Sequence, residues 1–203
     1  MLHAVVREKL TSGEADPLTL ILLHGLGADE FDLLGLVDTF DHPMRVVSLR
    51  APLSCPWGGY SWFGIDVTDG QLAVDGEEVL GSYQLLLEFL SSFDSSRVIL
   101  GGFSQGAMMT LGVMAANPGL VKAGLAMSGG LLPIFDISEA AAGPILMTHG
   151  SDDPIVPVSF GRESAALLTS RHRSVEFREY RMGHEIAWPC LSDISMWFRS
   201  LDV

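Results

Sequence analysis

The stretch Val98-Ile99-Leu100-Gly101-Gly102-Phe103-Ser104-Gln105-Gly106 carries a G-x-S-x-G motif directly after a short apolar run. Residues 105–116 have helical character and stop at Asn117-Pro118, as the restricted backbone before proline predicts. When this motif lies between a strand and a helix, it holds its serine on a sharp turn, and the serine hydroxyl projects above the sheet. The outer glycines leave room for close backbone packing through the turn. Ser104 is therefore a candidate nucleophile, and a tight turn that serves packing alone is the alternative.

Short apolar runs and helical stretches alternate along the rest of the chain. The predicted strands cover residues 18–23, 44–49, 97–101, 123–127, 145–148 and 175–180. The predicted helices cover residues 30–40, 76–93, 105–116, 157–168 and 192–201, with Asp29 and Asp75 as candidate N-caps. This order predicts an α/β fold with a mostly parallel central sheet, helices on both faces and no separate cap domain. Residues 51–74 lack clear periodicity and are predicted to form a long irregular loop.

The length, composition and charge of the chain exclude several classes of protein. A chain of 203 residues fits one domain, residues 1–203, and a content of 48% hydrophobic and 18% charged residues excludes a disordered protein. Twelve basic and 25 acidic residues give a net charge of −13, which argues against binding to nucleic acid or to an anionic membrane surface. The longest apolar run, residues 18–23, is far shorter than the roughly 20 residues that span a bilayer, so no stable membrane insertion is expected.

The cysteines and the short motifs of the sequence predict the cellular compartment and the cofactor requirement. Cys55 and Cys190 form neither a disulfide framework nor a metal-ligand spacing, and the N-terminus lacks a signal-peptide pattern, so a cytoplasmic location is predicted. His184-Glu185 is not a zinc motif because residue 188 is Trp, and Gly25-Leu26-Gly27 lacks the third glycine of a dinucleotide fingerprint. We therefore expect no metal and no cofactor. A homodimer stays open, since an exposed apolar patch would support one and the sequence does not locate it.

A serine hydroxyl is a poor nucleophile unless a base accepts its proton. Six histidines compete for this role. His184 lies between the last predicted strand and the closing helix, at an edge where the loops of an α/β sheet converge, so it is the preferred base. His149 ends a strand and is expected to be a packed, hydrogen-bonded histidine, whereas His24 is expected to shape the glycine loop that follows it.

The base needs a carboxylate, and the tetrahedral intermediate needs hydrogen-bond donors. Asp152 and Asp153 follow a predicted strand, and Asp153 is preferred because Pro154 favours an extended backbone before it. The expected oxyanion donors are the backbone N–H of Gln105 and that of Leu26, which has a glycine on each side. An ordinary glycine turn is the alternative for the Leu26 segment.

Taken together, these residues resemble the carboxylesterase/phospholipase family of α/β-hydrolases, which includes bacterial carboxylesterases and acyl-protein thioesterases. The matching segments are Leu23-His24-Gly25-Leu26-Gly27, Arg50-Ala51-Pro52, Trp62-Phe63, Gly101-Gly102-Phe103-Ser104-Gln105-Gly106-Ala107, Met127-Ser128-Gly129, His149-Gly150 through Pro157, Tyr180 and Met182-Gly183-His184. The resemblance implies Ser104 as nucleophile, Asp153 and His184 as its triad partners, and Leu26 and Gln105 as oxyanion donors. Relatives often carry an acid directly after the Trp-aromatic pair, where this chain has Gly64.

We predict a serine carboxylesterase that cleaves small-molecule carboxylic esters through an acyl-enzyme on Ser104. The candidate substrate-binding residues are Trp62, Phe63, Leu72 and Val156. Core packing is the alternative interpretation for Trp62 and Phe63. Two other functions stay open: a thioesterase or lysophospholipase acting on acyl proteins or long acyl chains, and a hydrolase fold that only binds a ligand.

Overall fold

The computed structural model describes residues 2–9, 17–68 and 71–201, without the side chains of residues 66–68 and 71–72. Its strands are β1 (His3–Lys9), β2 (Leu18–Leu23), β3 (Met44–Arg50), β4 (Leu53–Ser54), β5 (Tyr60–Ser61), β6 (Ile65–Thr68), β7 (Gln71–Val74), β8 (Val98–Phe103), β9 (Ala123–Met127), β10 (Ile145–Gly150) and β11 (Val175–Tyr180). Its α-helices are α1 (Gly76–Leu90), α2 (Gln105–Ala116), α3 (Val158–Ser170) and α4 (Trp188–Ser200). Short 3₁₀ helices cover Asp32–Thr39, Ser95–Arg97 and Pro118–Leu120.

Seven strands form the central sheet in the order β1-β3-β2-β8-β9-β10-β11. Strand β1 is antiparallel to β3, and the other neighbours in this sheet are parallel. The predicted α/β architecture is confirmed. Strand β1 was not predicted, because its half-exposed, charge-containing sequence carries no continuous apolar run.

The sheet is buried on both faces. Ile21 and Leu23 of β2 contribute to one apolar cluster, which also includes buried residues of α1 and α2. Leu20 and Leu22 contribute to a second cluster with Phe40 and with buried residues of α4. A parallel strand covered on both sides needs apolar residues at successive positions, which explains the run Leu20-Ile21-Leu22-Leu23 in β2.

One predicted helix cap is present, whereas other helix starts differ from the predicted ones. Asp75 caps α1 by accepting hydrogen bonds from the N–H groups of Glu77 and Glu78, at 3.0 and 3.1 Å. The predicted helix over residues 30–40 is instead a 3₁₀ helix, Asp32–Thr39, and Asp29 accepts a hydrogen bond from the Phe31 N–H before it. Pro157 is the N-cap of α3 and not its first residue.

The supposed irregular loop over residues 51–74 contains two short antiparallel hairpins, β4–β5 and β6–β7. Strands of two to four residues are too short to produce a periodic pattern.

Helix α4 begins at Trp188, four residues before the predicted start, and has proline in its first turn.

The turn between β8 and α2 is sterically crowded. Ser104 has φ 55° and ψ −115°, a conformation that is uncommon for a residue with a side chain. A Cβ atom on Gly106 would lie 2.0 Å from the Leu23 carbonyl oxygen, and one on Gly102 would lie 2.2 Å from the Gly106 carbonyl. Glycine is therefore required at both positions of the motif.

This crowding predicts opposite effects for two glycine-to-alanine substitutions. Gly106→Ala should lower the free energy of unfolding by more than about 3 kcal/mol, because backbone must move to admit the methyl group. Gly81→Ala is the matched control: Gly81 is exposed in α1 with open space around it. This control should raise the free energy of unfolding by about 0.5–1 kcal/mol. Urea unfolding measures both, and equal effects would contradict the steric argument.

Candidate active site

A cleft of about 690 Å³ opens at the carboxyl edge of the central sheet. The loops after β2, β8, β9, β10 and β11 all contribute to its lining, as expected for an α/β sheet. The lining residues are Gly25, Leu26, Ala28, Asp32, Ile65, Val74, Phe103, Ser104, Met108, Leu132, Pro133, Ile155, Val156, Pro157, Phe160 and His184. The cleft therefore brings Ser104 and His184 to one apolar cavity.

Backbone hydrogen bonds fix Ser104 on both sides. Its N–H donates to the Met127 carbonyl of β9 at 2.9 Å, and its own carbonyl accepts from the Met108 N–H in the first turn of α2 at 3.1 Å. The residue is 8% exposed. The serine is thus held at the end of β8 while its side chain borders the cleft.

Asp153 and His184 form a direct hydrogen bond. The Nδ1 atom of His184 lies 2.7 Å from Oδ2 of Asp153, whose side chain is fully buried. The other oxygen, Oδ1, accepts hydrogen bonds from the N–H groups of Ile155 and Val156, each at 2.9 Å. These donors hold the carboxylate in place, and the bond to Nδ1 leaves Nε2 as the ring nitrogen for other chemistry.

The neighbouring Asp152 is arranged differently. Its carboxylate is exposed and accepts a hydrogen bond from the Ser151 hydroxyl at 3.2 Å. Of the two adjacent acids, Asp153 is the one that contacts His184.

His149 supports the loop that carries Asp153. Its side chain is buried, with Nε2 at 2.8 Å from the Val156 carbonyl and 3.6 Å from Asp153 Oδ2. A carbonyl only accepts, so Nε2 carries the proton and donates it. The expectation of a packed, hydrogen-bonded histidine agrees with this placement. Its proximity to Asp153 was not predicted, and the i, i+4 spacing in the sequence was the available signal.

The loop that contains Leu26 is tied to β5. The Gly27 N–H donates to the Tyr60 carbonyl at 2.8 Å, and the Tyr60 N–H donates to the Ala28 carbonyl at 2.8 Å. Gly27 has φ 77°, a left-handed conformation suited to glycine. Leu26 is 41% exposed and lines the cleft between these fixed points.

His24 holds the same loop from beneath. The Ala51 N–H donates to His24 Nε2 at 3.0 Å, so Nδ1 carries the proton and donates to the Gly25 carbonyl at 2.7 Å. Burial is the main reason why the pKa of His24 lies below its usual value, and this favours the neutral ring that both bonds require. The expectation that His24 shapes the glycine loop agrees with these contacts.

An ion pair that was not predicted from the sequence lies next to this loop. The guanidinium of Arg50 binds the buried carboxylate of Glu30 through two nitrogens and stacks over the Tyr60 ring, 4.5 Å from its centroid. The hydrogen bond from Arg50 is the main cause that lowers the pKa of Glu30. Arg50 belongs to a segment of the family resemblance, but nothing local in the sequence pairs it with an acid 20 residues earlier.

Gln105 uses its side chain and its backbone in different places. Oε1 accepts from the Trp62 N–H at 3.0 Å, and Nε2 donates to the Phe63 carbonyl at 2.7 Å. As the first residue of α2, Gln105 has a backbone N–H with no acceptor inside the helix. Its buried side chain therefore anchors the segment after β5, while its amide stays at the helix N-terminus beside Ser104.

The structure corrects two of the four expected substrate-binding residues. Trp62 and Phe63 are fully buried in the core and are not part of the cleft lining. Trp62 donates from Nε1 to the His24 carbonyl at 3.0 Å, so it is committed to internal contacts. Val156 is among the residues that line the cleft. Leu72 lies in β7, but its side chain is outside the described part of the chain.

An acid from α1 occupies the space next to Gly64. The Gly64 N–H donates to Glu78 Oε2 at 2.6 Å, and a Cβ atom at Gly64 would lie 2.9 Å from the same oxygen. A carboxylate is therefore present directly after the Trp-aromatic pair, although a different element supplies it. Ile65 and Val74, from the hairpin that follows, line the cleft at this side.

Within residues 2–9, 17–68 and 71–201, no group of three or more His, Cys, Asp or Glu side chains has an arrangement suited to a metal ion. No helix in the same ranges has the length and apolar character needed to cross a bilayer.

Comparison with known proteins identifies the family. The model of the Phospholipase/Carboxylesterase family matches residues 5–201. The chain belongs to this family. Acyl-protein thioesterase 1 of Kluyveromyces lactis is 30% identical over 155 residues, which cover 68% of each chain. Acyl-protein thioesterase 1 of Neurospora crassa is 26% identical over 204 residues, which cover 87% of this chain and 82% of the relative.

Solved structures confirm the α/β-hydrolase fold of this family member. The crystal structure of esterase PE8 has a TM-score of 0.84 at 26% identity and covers 98% of this chain and 99% of its own. The carboxylesterase of Bacillus cereus has a TM-score of 0.85 at 22% identity, with coverage of 99% and 95% respectively, and shows the shared fold. The family of this chain is therefore one of esterases and thioesterases.

The lowered pKa of His24 predicts a pH dependence of stability. Below the unfolded pKa of 6.5 the unfolded chain binds the His24 proton more readily than the folded protein, so the free energy of unfolding should fall as the pH decreases. The slope from this group is at most about 1.4 kcal/mol per pH unit. Urea unfolding at about pH 7.5 and about pH 5.5 should therefore show a smaller loss in His24→Gln than in the unsubstituted protein.

The matched control is His172→Asn, since His172 is exposed on a turn with φ 61°, which asparagine tolerates. This control should keep the pH dependence of the unsubstituted protein. The same pH dependence in His24→Gln would show that protonation of His24 does not oppose folding.

Proposed function

We propose that this family member is a serine carboxylesterase that hydrolyses carboxylic esters through an acyl-enzyme on Ser104. The observation that carries the proposal is the 2.7 Å hydrogen bond from His184 to the buried Asp153, in a cleft that both His184 and Ser104 line. A histidine oriented in this way can act as a base through Nε2. Membership of a family of esterases and thioesterases supports the same chemistry.

The reaction begins when Oγ of Ser104 attacks the acyl carbon and its proton moves to Nε2 of His184. Asp153 stabilises the resulting imidazolium through Nδ1–H, and its own charge is held by the amides of Ile155 and Val156. The tetrahedral intermediate collapses as the C–O bond to the alcohol breaks, and the alcohol leaves with the proton from Nε2. A water molecule then loses a proton to Nε2, attacks the acyl-enzyme and releases the acid, which restores the serine hydroxyl.

The oxyanion of each tetrahedral intermediate needs two donors. The Gln105 N–H is free of helical acceptors, and the Leu26 N–H lies in a loop whose neighbouring amides are already bonded to Gly25 and Tyr60. These features support both amides as oxyanion donors. One such donor contributes about 3–4 kcal/mol to lowering the barrier.

The cleft supports an apolar acyl group. Leu132 and Pro133 come from the loop after β9, Val156 from the loop after β10 and Phe160 from α3. Burial of an acyl chain against such residues stabilises the complex by about 0.8 kcal/mol per methylene. The cleft is open to esters and to thioesters, since both pass through the same tetrahedral chemistry.

An acyl-protein thioesterase is the second candidate function. The curated relatives described above carry that name. Rates on matched butanoyl, octanoyl and hexadecanoyl esters and thioesters separate the two. A higher kcat/KM on the ester of each pair supports the carboxylesterase, whereas a preference for the hexadecanoyl thioester would support the alternative.

The nucleophile is tested by Ser104→Ala. This change should abolish hydrolysis of a p-nitrophenyl short-chain ester and covalent labelling by a fluorophosphonate probe, because both require an activated hydroxyl. Ser151→Ala is the control and should keep both activities, since Ser151 is an exposed serine outside the cleft lining. If the unsubstituted protein takes up no label, a hydrolase fold that only binds a ligand becomes the better description.

The identity of the triad acid is tested by Asp153→Asn. Asparagine keeps the size of the side chain but can donate to Nδ1, which would favour the wrong tautomer of His184 and lower kcat by about 10⁴. Asp152→Asn is the matched control, because its carboxylate is exposed and bonded to Ser151. Steady-state kinetics on one p-nitrophenyl ester compares the two, and a larger loss in Asp152→Asn would refute the assignment.

A further inference from the structure

We propose that Asp32 selects substrates by charge and favours acyl esters whose alcohol part carries an ammonium group over neutral or anionic esters of the same size. The inference rests on the proposed esterase function and names the class of alcohol that the same cleft prefers. It concerns a specificity-determining residue and leaves the catalytic steps unchanged.

The lining of the cleft singles out Asp32. Within the described side chains, the lining consists of glycine, apolar residues and proline, together with Ser104, His184 and Asp32. Ser104 and His184 are the proposed reacting groups. Asp32 is therefore the one acid in the described lining, in an otherwise apolar surface.

Asp32 also lacks a cationic partner within the described part of the chain. The ion pairs found there join nearby acids to other cations, such as Glu30 to Arg50 and Asp38 to Arg7, and none involves Asp32. The titratable groups that act on it are His24 and Asp29. Asp32 is exposed where it lines the cleft, and desolvation is the main cause that raises its pKa. A cationic group of a substrate could therefore reach this carboxylate and would stabilise its charge.

The segment that follows Arg50 is acidic and contains no Lys or Arg up to residue 96. Residues 51–96 contain seven acids and no Lys or Arg, and this segment includes Ile65 and Val74 of the cleft lining. These acids, which include Glu77 and Glu78 in the first turn of α1, add to the negative potential on this side of the protein. A cationic group would enter this field favourably, and a carboxylate or phosphate would be repelled.

The position of Asp32 in the chain indicates which part of the ester it meets. The apolar residues that suit an acyl chain come mainly from the loops after β9 and β10 and from α3. Asp32 comes from the segment after β2, which also supplies Leu26, the proposed oxyanion donor. Burying an acyl chain against a carboxylate is unfavourable. The charged wall is therefore assigned to the alcohol side.

The test compares choline butanoate with its neutral isostere, 3,3-dimethylbutyl butanoate, and with a carboxylate-bearing butanoate ester of similar length. At low ionic strength kcat/KM should be about tenfold higher for the choline ester than for the neutral one, and lowest for the anionic one. The ratio between the choline and the neutral ester should fall from about ten to about two in Asp32→Asn, because the carboxylate in the lining is lost while the more distant acids remain. The ratio within each variant cancels any general loss of folded protein.

Asp29→Asn is the matched control, because Asp29 is the acid three residues earlier, is outside the cleft lining and accepts a hydrogen bond from Phe31 N–H that asparagine can keep. It should retain the preference for the choline ester. In the unsubstituted protein the preference should also shrink as salt is added, since a partly exposed charge contact is screened.

Two results would overturn the inference while leaving the esterase proposal intact: hydrolysis of all three esters without a charge preference, and a preference that is as large in Asp32→Asn as in the unsubstituted protein. A preference that does not respond to salt would count against it as well. If none of the three esters is hydrolysed and no fluorophosphonate label forms, the esterase proposal itself fails, and the inference fails with it.

Discussion

The site depends on a close backbone contact between α2 and β2. Gly106 approaches the Leu23 carbonyl so closely that no Cβ atom could fit between them. This contact brings the N-terminus of α2 beside the loop after β2. The two elements that carry the amides of Gln105 and Leu26 are therefore held next to each other. The strained backbone of Ser104 persists because β9 and α2 hold its two sides through hydrogen bonds. The position of the hydroxyl therefore follows from packing of the sheet.

Two buried histidines stabilise the two loops that meet at the cleft. His24 joins the Ala51 N–H to the Gly25 carbonyl, and His149 binds the Val156 carbonyl next to the amides that hold Asp153. An imidazole suits this task because a compact ring can pair with backbone groups without extending into the cleft, and His24 pairs with two of them. Without these histidine side chains, the backbone groups would be buried without hydrogen-bond partners, which costs about 1–3 kcal/mol for each group.

The sequence predicts well what local patterns determine, and less well what distant contacts determine. The buried strand before Ser104 and the helix after it follow from apolar runs and a proline, and the α/β architecture follows from their repetition. Trp62 and Phe63 illustrate the limit. Their burial depends on Gln105, which lies 43 and 42 residues further along the chain. The pairing of Asp153 with His184 spans 31 residues, and it was suggested by the reasoning that parallel strands end at one edge and by the family resemblance.

Acidic residues in this chain differ in function according to their partners. Glu30 is neutralised by a cation, Glu78 accepts a backbone N–H, and Asp153 is shared between two amides and an imidazole. Each of these carboxylates is satisfied inside the protein and therefore shapes or orients a neighbouring element. Asp32 is exposed and borders the cleft without such a partner in the described part of the chain, so it is available to a cationic group of a substrate. A net charge of −13 alone would not separate these roles, whereas the hydrogen-bond partners do.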